Sequence, residues 1–204
     1  MLDGPVTSAG AVGGHLLRQV IVDRDGVLNR ELADGWLRHP DEWDWEPGSA
    51  QALAALSAAG VRVSVVTNQS GIGRGVVPRA EVEEVHRHMV QDASREGGEI
   101  QDVLVCPHAP EEECGCRKPA PGLVQQALLA GGVLPGEALV IGDDDRDLRA
   151  GLAAGTRIAL VRTGKGRRTE ARWRGPAVPV FDNLAAATAW VIEGLACAAE
   201  KTAR

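Results

Sequence analysis

The feature that most constrains the fold is a repeated alternation of short apolar runs with segments of helical spacing. The runs are rich in Val, Ile and Leu and lie at residues 19–23, 61–67, 102–106, 138–142 and 157–161. Nearly continuous runs of this kind are typical of parallel strands that are covered on both faces. The segments between them space their apolar residues as helices do, and most end at glycine. The pattern predicts an α/β fold, a three-layer α/β/α sandwich around a central, mainly parallel sheet.

The length of the chain indicates its number of domains, and its net charge indicates which classes of partner it binds. A chain of 204 residues is long enough for one domain with a full core. We predict a flexible tail over residues 1–17 and a single domain over residues 18–204, with no signal peptide and no membrane span. The net charge of -6 argues against a nucleic-acid partner. We expect a cytoplasmic monomer that binds an anionic small molecule through cationic side chains close to the site.

Polar motifs follow the apolar runs at the points where the predicted strands end. Ligands of such sheets bind beyond the carboxyl ends of the strands, so these motifs are candidates for one shared site. Each motif alone is also an ordinary polar turn, and their coincidence is what indicates an active site. The candidates are Asp23 and Asp25 after the first run, Thr67, Asn68, Gln69 and Ser70 after the second, Arg117 and Lys118 after the third, and Asp143 after the fourth.

The carboxylates of this set suit a hard cation and a nucleophile. Residues 143–147 carry four carboxylates in five positions, a density that a divalent cation would relieve. One of them, Asp144 or Asp145, is equally suited to cap the following helix. Mg²⁺ prefers a few carboxylates together with water and substrate phosphate. We therefore predict a Mg²⁺ site at Asp23, Asp143 and the backbone carbonyl of Asp25.

A cluster of zinc-ligand residues lies between the third run and the two adjacent cations. Cys106, His108, Cys114 and Cys116 supply three thiolates and one imidazole, which close a tetrahedral structural zinc site. Such a metal leaves no position for substrate, so its expected role is to fix the loop at residues 106–118. A rigid loop lowers the entropic cost of positioning the cations that follow it.

The order of these motifs resembles the haloacid-dehalogenase-like (HAD-like) phosphatase superfamily. The resemblance is carried by D-R-D-G at residues 23–26, T-N at 67–68, Lys118 and G-D at 142–143. Within that superfamily, the zinc loop and T-N-Q-S-G-I-G-R-G at 67–75 resemble the D-glycero-D-manno-heptose-1,7-bisphosphate 7-phosphatase branch. A Rossmann-like domain without a large cap and a phosphorylated sugar as substrate are what this resemblance implies.

The resemblance also implies a role for each candidate. Asp23 would be the nucleophile that forms an aspartyl-phosphate, and Asp25 the acid and base that serves the leaving oxygen and then water. Thr67 and Lys118 would steady the transferring phosphoryl group, and Mg²⁺ would bind Asp23, Asp25 and Asp143. The expected substrate contacts are Asn68, Gln69, Ser70, Arg117, Glu31, Asp34 and Trp36.

Two departures from the branch and two alternatives accompany this assignment. Asp144 stands where the branch usually carries lysine, and only five residues separate His108 from Cys114. A related branch hydrolyses histidinol phosphate and shares several of the motifs, so that activity is an alternative. A non-catalytic binding module stabilised by zinc is another. His86, on a charged helical segment, is assigned to a solvated face.

Overall fold

Six parallel strands form the centre of the protein in a computed structural model that describes residues 16–32 and 35–202. The strands are β1 (Gln19–Val22), β2 (Arg62–Asn68), β3 (Asp102–Cys106), β4 (Ala138–Gly142), β5 (Arg157–Val161) and β6 (Val180–Phe181). Their order in the sheet is β3-β2-β1-β4-β5-β6, and every pair is parallel. The predicted parallel sheet is confirmed.

Helices connect the strands, as parallel pairing requires. They are α1 (Ser49–Ala58), α2 (Ser70–Gly73), α3 (Arg79–Arg95), α4 (Gly122–Gly131), α5 (Asp145–Ala153), α6 (Gly166–Arg172) and α7 (Leu184–Thr202). Short 3-10 turns lie at Pro40–Glu42, Pro110–Glu112 and Pro135–Glu137. The sequence predicted five of these helices and five strands, and it missed α2, α6 and β6, which are too short to show a period.

Two apolar layers cover the sheet. Alternate residues of a strand point to opposite faces, so Val20 and Val22 of β1 lie in one layer and Ile21 in the other. Helices α1, α3 and α7 pack on the Val20 side, where Leu53 and Met89 are buried. Helices α4 and α5 pack on the opposite side. The result is the three-layer sandwich that the alternation predicted.

The predicted N-terminal tail lies largely outside the described residues. Residues 1–15 of the predicted tail and Asp34 lie outside the described residues. Leu17, which the sequence placed in the tail, is buried in the core. Within the described ranges, no helix has the length and apolar character needed to span a bilayer.

Candidate active site

The candidate residues converge at the carboxyl edge of the sheet. Strands β1, β2 and β4 end side by side, which brings Asp23, Thr67 and Asp143 together. The backbone N–H of Asp23 donates to the carbonyl of Ile141 at 3.1 Å and extends the pairing past the end of β1. The loop after β3 then places Lys118 against Asp23 from the far side of β2.

A cavity opens at this edge of the sheet, and Lys118 is the buried cation at its floor. Its Nζ lies 2.8 Å from Asp23 Oδ1 and 2.6 Å from Asp147 Oδ1, and it donates to the carbonyl of Val66 at 2.7 Å. Only 4 % of its side chain is exposed. Asn68 fixes the main chain of Lys118, because its amide accepts from Lys118 N at 3.1 Å and donates to Lys118 O at 3.0 Å. The cation is therefore held at both its head and its backbone.

Burial and mutual repulsion raise the pKa values of two carboxylates near Lys118. Burial, with the charge of Asp147, raises the pKa of Asp23 to about 7, although Lys118 acts in the opposite direction. Burial and the charges of Asp147 and Asp23 raise the pKa of Asp143 to about 8. Such shifts identify a place where further positive charge is favourable.

The same three carboxylates fit a Mg²⁺ ion. One oxygen from each of Asp23, Asp143 and Asp147 lies within 4.8 Å of the others. Mg–O distances of about 2.1 Å place oxygens that share one ion roughly 3–4 Å apart, so a small closure would complete the site. Asp147 is a further candidate ligand that the sequence prediction did not include. The Asp25 carboxylate is bound by Arg24, so the ligand predicted from Asp25 stays its backbone carbonyl.

Glycines make room for Asp143. A Cβ at Gly26 or at Gly164 would collide with the Asp143 carboxylate, and both residues have positive φ angles, of +82° and +52°. The backbone N–H of Lys165 donates to Asp143 Oδ2 at 2.6 Å. The loop after β5 therefore shapes the site, although the sequence pattern gave it no role.

Asp25 is held as an anion by a buried network. Arg24, which is fully buried, donates to Asp25 from Nε at 3.1 Å and from Nη2 at 2.7 Å. Asn29 and Gln69 donate to the same carboxylate at 3.1 and 2.9 Å. Although burial opposes the charged form, Arg24 and these donors hold the pKa of Asp25 below its usual value.

His86 completes this network from α3, so its assignment to a solvated face was wrong. Its Nε2 lies 3.0 Å from Nη1 of Arg24, and the residue is 6 % exposed. Burial, assisted by the charge of Arg24, lowers the pKa of His86 to about 3. The imidazole is therefore neutral at physiological pH and accepts a hydrogen bond from the guanidinium.

The zinc-ligand residues form a compact group beneath the loop. Cys106 Sγ lies 3.6 Å from Cys114 Sγ, and Cys114 Sγ lies 3.4 Å from Cys116 Sγ. Nδ1 of His108 lies 3.7 Å from Cys106 Sγ and 3.2 Å from Cys116 Sγ. A tetrahedron with Zn–S bonds of about 2.3 Å has edges of about 3.8 Å, so the four donors fit zinc after a slight expansion. The five-residue spacing does not prevent closure.

Most of the predicted substrate contacts line one cavity with the carboxylates. Among the predicted contacts that the structure describes, the exception is Gln69, which is buried and donates to Asp25 and to Thr67 Oγ1. Trp43 and Trp45 pack edge to face against each other and lie against the core. The predicted residues that line the cavity are Asp23, Asp25, Glu31, Trp36, Thr67, Asn68, Ser70, Arg117, Lys118 and Asp143.

Sequence reasoning missed four residues that the structure adds to this region. Asp147, Arg146 and Lys165 line the cavity, and Arg24 lies behind Asp25. A signal existed for Asp147, because it belongs to the dense acidic run at residues 143–147. Lys165 lies in a segment without a motif and reaches the cavity only through the fold.

Comparisons with known proteins agree with this geometry. A family model described as HAD-hydrolase-like matches residues 115–187. The chain is 41 % identical over 170 residues to D-glycero-β-D-manno-heptose-1,7-bisphosphate 7-phosphatase of Pseudomonas putida, covering 83 % of this chain and 97 % of the relative. It is also 39 % identical over 133 residues to a phosphatase of Mycobacterium tuberculosis named for the α anomer, covering 63 % of this chain and 68 % of the relative.

A solved structure extends the likeness to the backbone. The D,D-heptose 1,7-bisphosphate phosphatase of B. bronchiseptica, crystallised with magnesium and phosphate, superposes with a TM-score of 0.83 at 36 % identity. The match covers 87 % of this chain and 99 % of that one. The shared region therefore includes nearly the whole of the solved enzyme.

Proposed function

Because the chain belongs to the D-glycero-D-manno-heptose-1,7-bisphosphate 7-phosphatases of the HAD-like hydrolases, we propose that it removes the 7-phosphate of such a heptose bisphosphate. The observation that supports this most is the placement of the Asp23 carboxylate, 2.8 Å from the buried Lys118 ammonium. A carboxylate beside a fixed cation can attack phosphorus without repelling the phosphate as strongly as an isolated acid would.

The first half of the proposed reaction transfers the phosphoryl group to Asp23. One carboxylate oxygen attacks phosphorus while the bond to the sugar oxygen breaks, and Lys118, with Thr67, balances charge on the phosphoryl oxygens. Asp25 supplies the proton for the leaving oxygen. It is an anion in the network with Arg24, and the charge of an arriving phosphate raises its pKa so that it can take up that proton first.

The second half returns the enzyme to its starting state. Water attacks phosphorus of the aspartyl-phosphate, and Asp25, now deprotonated, takes the proton of that water. Gln69 and Asn29 keep the Asp25 carboxylate oriented toward the phosphoryl group. Inorganic phosphate leaves, Asp23 is regenerated, and Asp25 releases its proton to solvent.

Two metals complete the proposal. Mg²⁺, held by Asp23, Asp143 and the carbonyl of Asp25, would neutralise charge on the transferring phosphoryl group. Zinc, held by Cys106, His108, Cys114 and Cys116, would be structural. The guanidinium of Arg117 donates to the carbonyl of His108 at 3.2 Å, which ties the substrate-facing cation to the zinc loop.

Phosphate release from both anomers of the heptose bisphosphate, with histidinol phosphate as the competing substrate, tests this function. We expect kcat/KM to be higher for both heptose anomers than for histidinol phosphate. The ratio of kcat/KM for the two anomers gives the preferred anomer. A preference for histidinol phosphate would overturn the proposed substrate.

The Asp23→Asn variant tests the covalent step. We expect it to lose activity and to form no acid-stable phosphoprotein when the 7-phosphate carries a label. Asp145→Asn is the matched control, since Asp145 is half exposed and pairs with Arg149 at 3.2 Å. Phosphate release that survives Asp23→Asn would contradict the aspartyl-phosphate mechanism.

A further inference from the structure

The cavity has a second group of positive charge above its floor. Four cations line it in the described part of the chain: Arg117, Lys118, Arg146 and Lys165. The Nζ of Lys118 is surrounded by three protein oxygens at the floor. The Nζ of Lys165 is paired with Glu31. The single nitrogen of each of these ammonium groups is engaged, whereas the contacts of Arg117 with His108 and of Arg146 with Asp144 use only some of the guanidinium nitrogens. A second anion would therefore depend mainly on the two arginines.

Arg146 is oriented toward the cavity by its neighbour. Its Nε donates to Asp144 Oδ1 at 3.1 Å and its Nη2 to Asp144 Oδ2 at 2.8 Å, so one edge of the guanidinium is fixed by a bidentate pair. Asp144 is itself fixed as the cap of α5, since its carboxylate accepts from the backbone N–H of Arg146 at 3.2 Å. The described residues offer Nη1 no hydrogen-bond acceptor, and the Arg146 side chain is 38 % exposed.

Arg146 also stands where two depressions meet. The cavity that contains Asp23 and an adjoining depression along the zinc loop share three lining residues: Arg117, Lys118 and Arg146. The adjoining depression is otherwise formed largely by apolar residues such as Pro110, Pro119 and Ala120. A substrate with its reacting phosphate over Asp23 would extend past the two arginines toward this depression.

We propose that Arg146, together with Arg117, binds the phosphate of the bisphosphate that is not transferred. This inference rests on the proposed function and adds a residue that determines specificity. A guanidinium edge matches two phosphate oxygens, and Arg146, whose Nη1 is not used by Asp144, lines the cavity that would hold the substrate. The chain thus has an acid at position 144, where its branch usually has lysine, and presents a cation from position 146 instead.

The Arg146→Gln variant tests this with two substrates, the heptose 1,7-bisphosphate and the heptose 7-phosphate, which lacks the second phosphate. We expect kcat/KM for the bisphosphate to fall by about 10- to 100-fold, mainly through KM, because a charge-assisted bidentate contact is lost. We expect kcat/KM for the monophosphate to change by at most about twofold. Arg149→Gln, on the exposed side of the same helix, should change neither value.

The outcomes separate this inference from the proposed function. Equal losses on the two substrates, or no loss on the bisphosphate, would overturn the role of Arg146. Failure of the wild-type protein to hydrolyse either heptose phosphate would overturn the proposed substrate instead. Fructose 1,6-bisphosphate and fructose 6-phosphate would then pose the same question for Arg146, and an unchanged ratio in Arg146→Gln would refute its role.

Discussion

Replacing Lys118 by Met removes the positive charge that lies between two buried carboxylates. The methionine stem fills most of the volume of the lysine stem, so the change is chiefly one of charge. Asp23 and Asp147 would then face each other without the ammonium that lies 2.8 and 2.6 Å from them. The carbonyl of Val66 would also lose its donor. We expect the fold to become much less stable in the absence of Mg²⁺.

The expected magnitude follows from burial. Removing one partner of a buried ion pair costs about 3–5 kcal/mol, because an uncompensated charge remains behind. For a domain of this size each kcal/mol lowers Tm by about 2–4 °C, so Tm should fall by about 6–20 °C. Lys165→Met is the matched control. Its ammonium pairs with Glu31 in the same cavity but is 28 % exposed, and such pairs contribute at most about 1 kcal/mol.

The loss should depend on pH in a defined direction. The pKa of Asp23 is about 7 in the folded protein and 3.8 is its ordinary value. A carboxyl with a raised pKa binds more protons in the folded chain, so its contribution to stability is lost as pH rises between those values. Removing Lys118, which opposes this rise, raises the pKa of Asp23 further. The penalty of Lys118→Met should therefore be larger at pH 8 than at pH 5.5.

Thermal unfolding measures Tm and urea unfolding measures the free energy of unfolding, both followed by circular dichroism without added Mg²⁺ and at both pH values. The wild type, Lys118→Met and Lys165→Met are compared at equal protein concentration with zinc retained. Equal free-energy losses for the two variants would refute the argument from burial. A penalty that does not change between pH 8 and pH 5.5 would refute the argument from unpaired carboxylates.

Two further predictions concern the metals. Cys116→Ser should lower Tm and reduce bound zinc, measured by elemental analysis. Cys197→Ser changes an exposed thiol and should leave both unchanged. Equal zinc content in the two variants would exclude Cys116 as a ligand. Gly164→Ala should weaken Mg²⁺ binding, measured by calorimetry, because its Cβ would displace the Asp143 carboxylate, whereas Gly132→Ala has a similar φ of +59° but open space around it. Equal Mg²⁺ affinity in the two alanine variants would contradict this steric account.

The fold could be predicted because each of its main elements carries a local signal. The strands β1 to β5 are short apolar runs. Helices α1, α3, α4 and α5 are periodic and end at a glycine or two residues before one. Helix α6 and strand β6 have no such signal, since seven and two residues are too few for a period. Their positions follow from packing on β5, which depends on the rest of the sheet already being formed.

The site was predictable only where its residues lie at strand ends. Arg24 lies between two acids in the sequence and is fully buried in the structure. Its guanidinium donates to His86, which is 62 residues away in the chain. Lys165 likewise reaches Asp143 across 22 residues. Contacts of this kind are set by topology, and the residues next to Arg24 and Lys165 in the sequence do not indicate them.

The position of Arg117 depends more on the zinc site than that of Lys118 does. Loss of zinc is therefore expected to change KM and kcat to different extents. Lys118 is anchored independently of the metal, by Asn68 on its main chain and by three oxygens around Nζ. Arg117 is anchored through the carbonyl of His108, which is itself a zinc-ligand residue. Loss of zinc in Cys116→Ser should therefore raise KM for the bisphosphate more than it lowers kcat. A fall in kcat at constant KM would show instead that zinc supports Lys118.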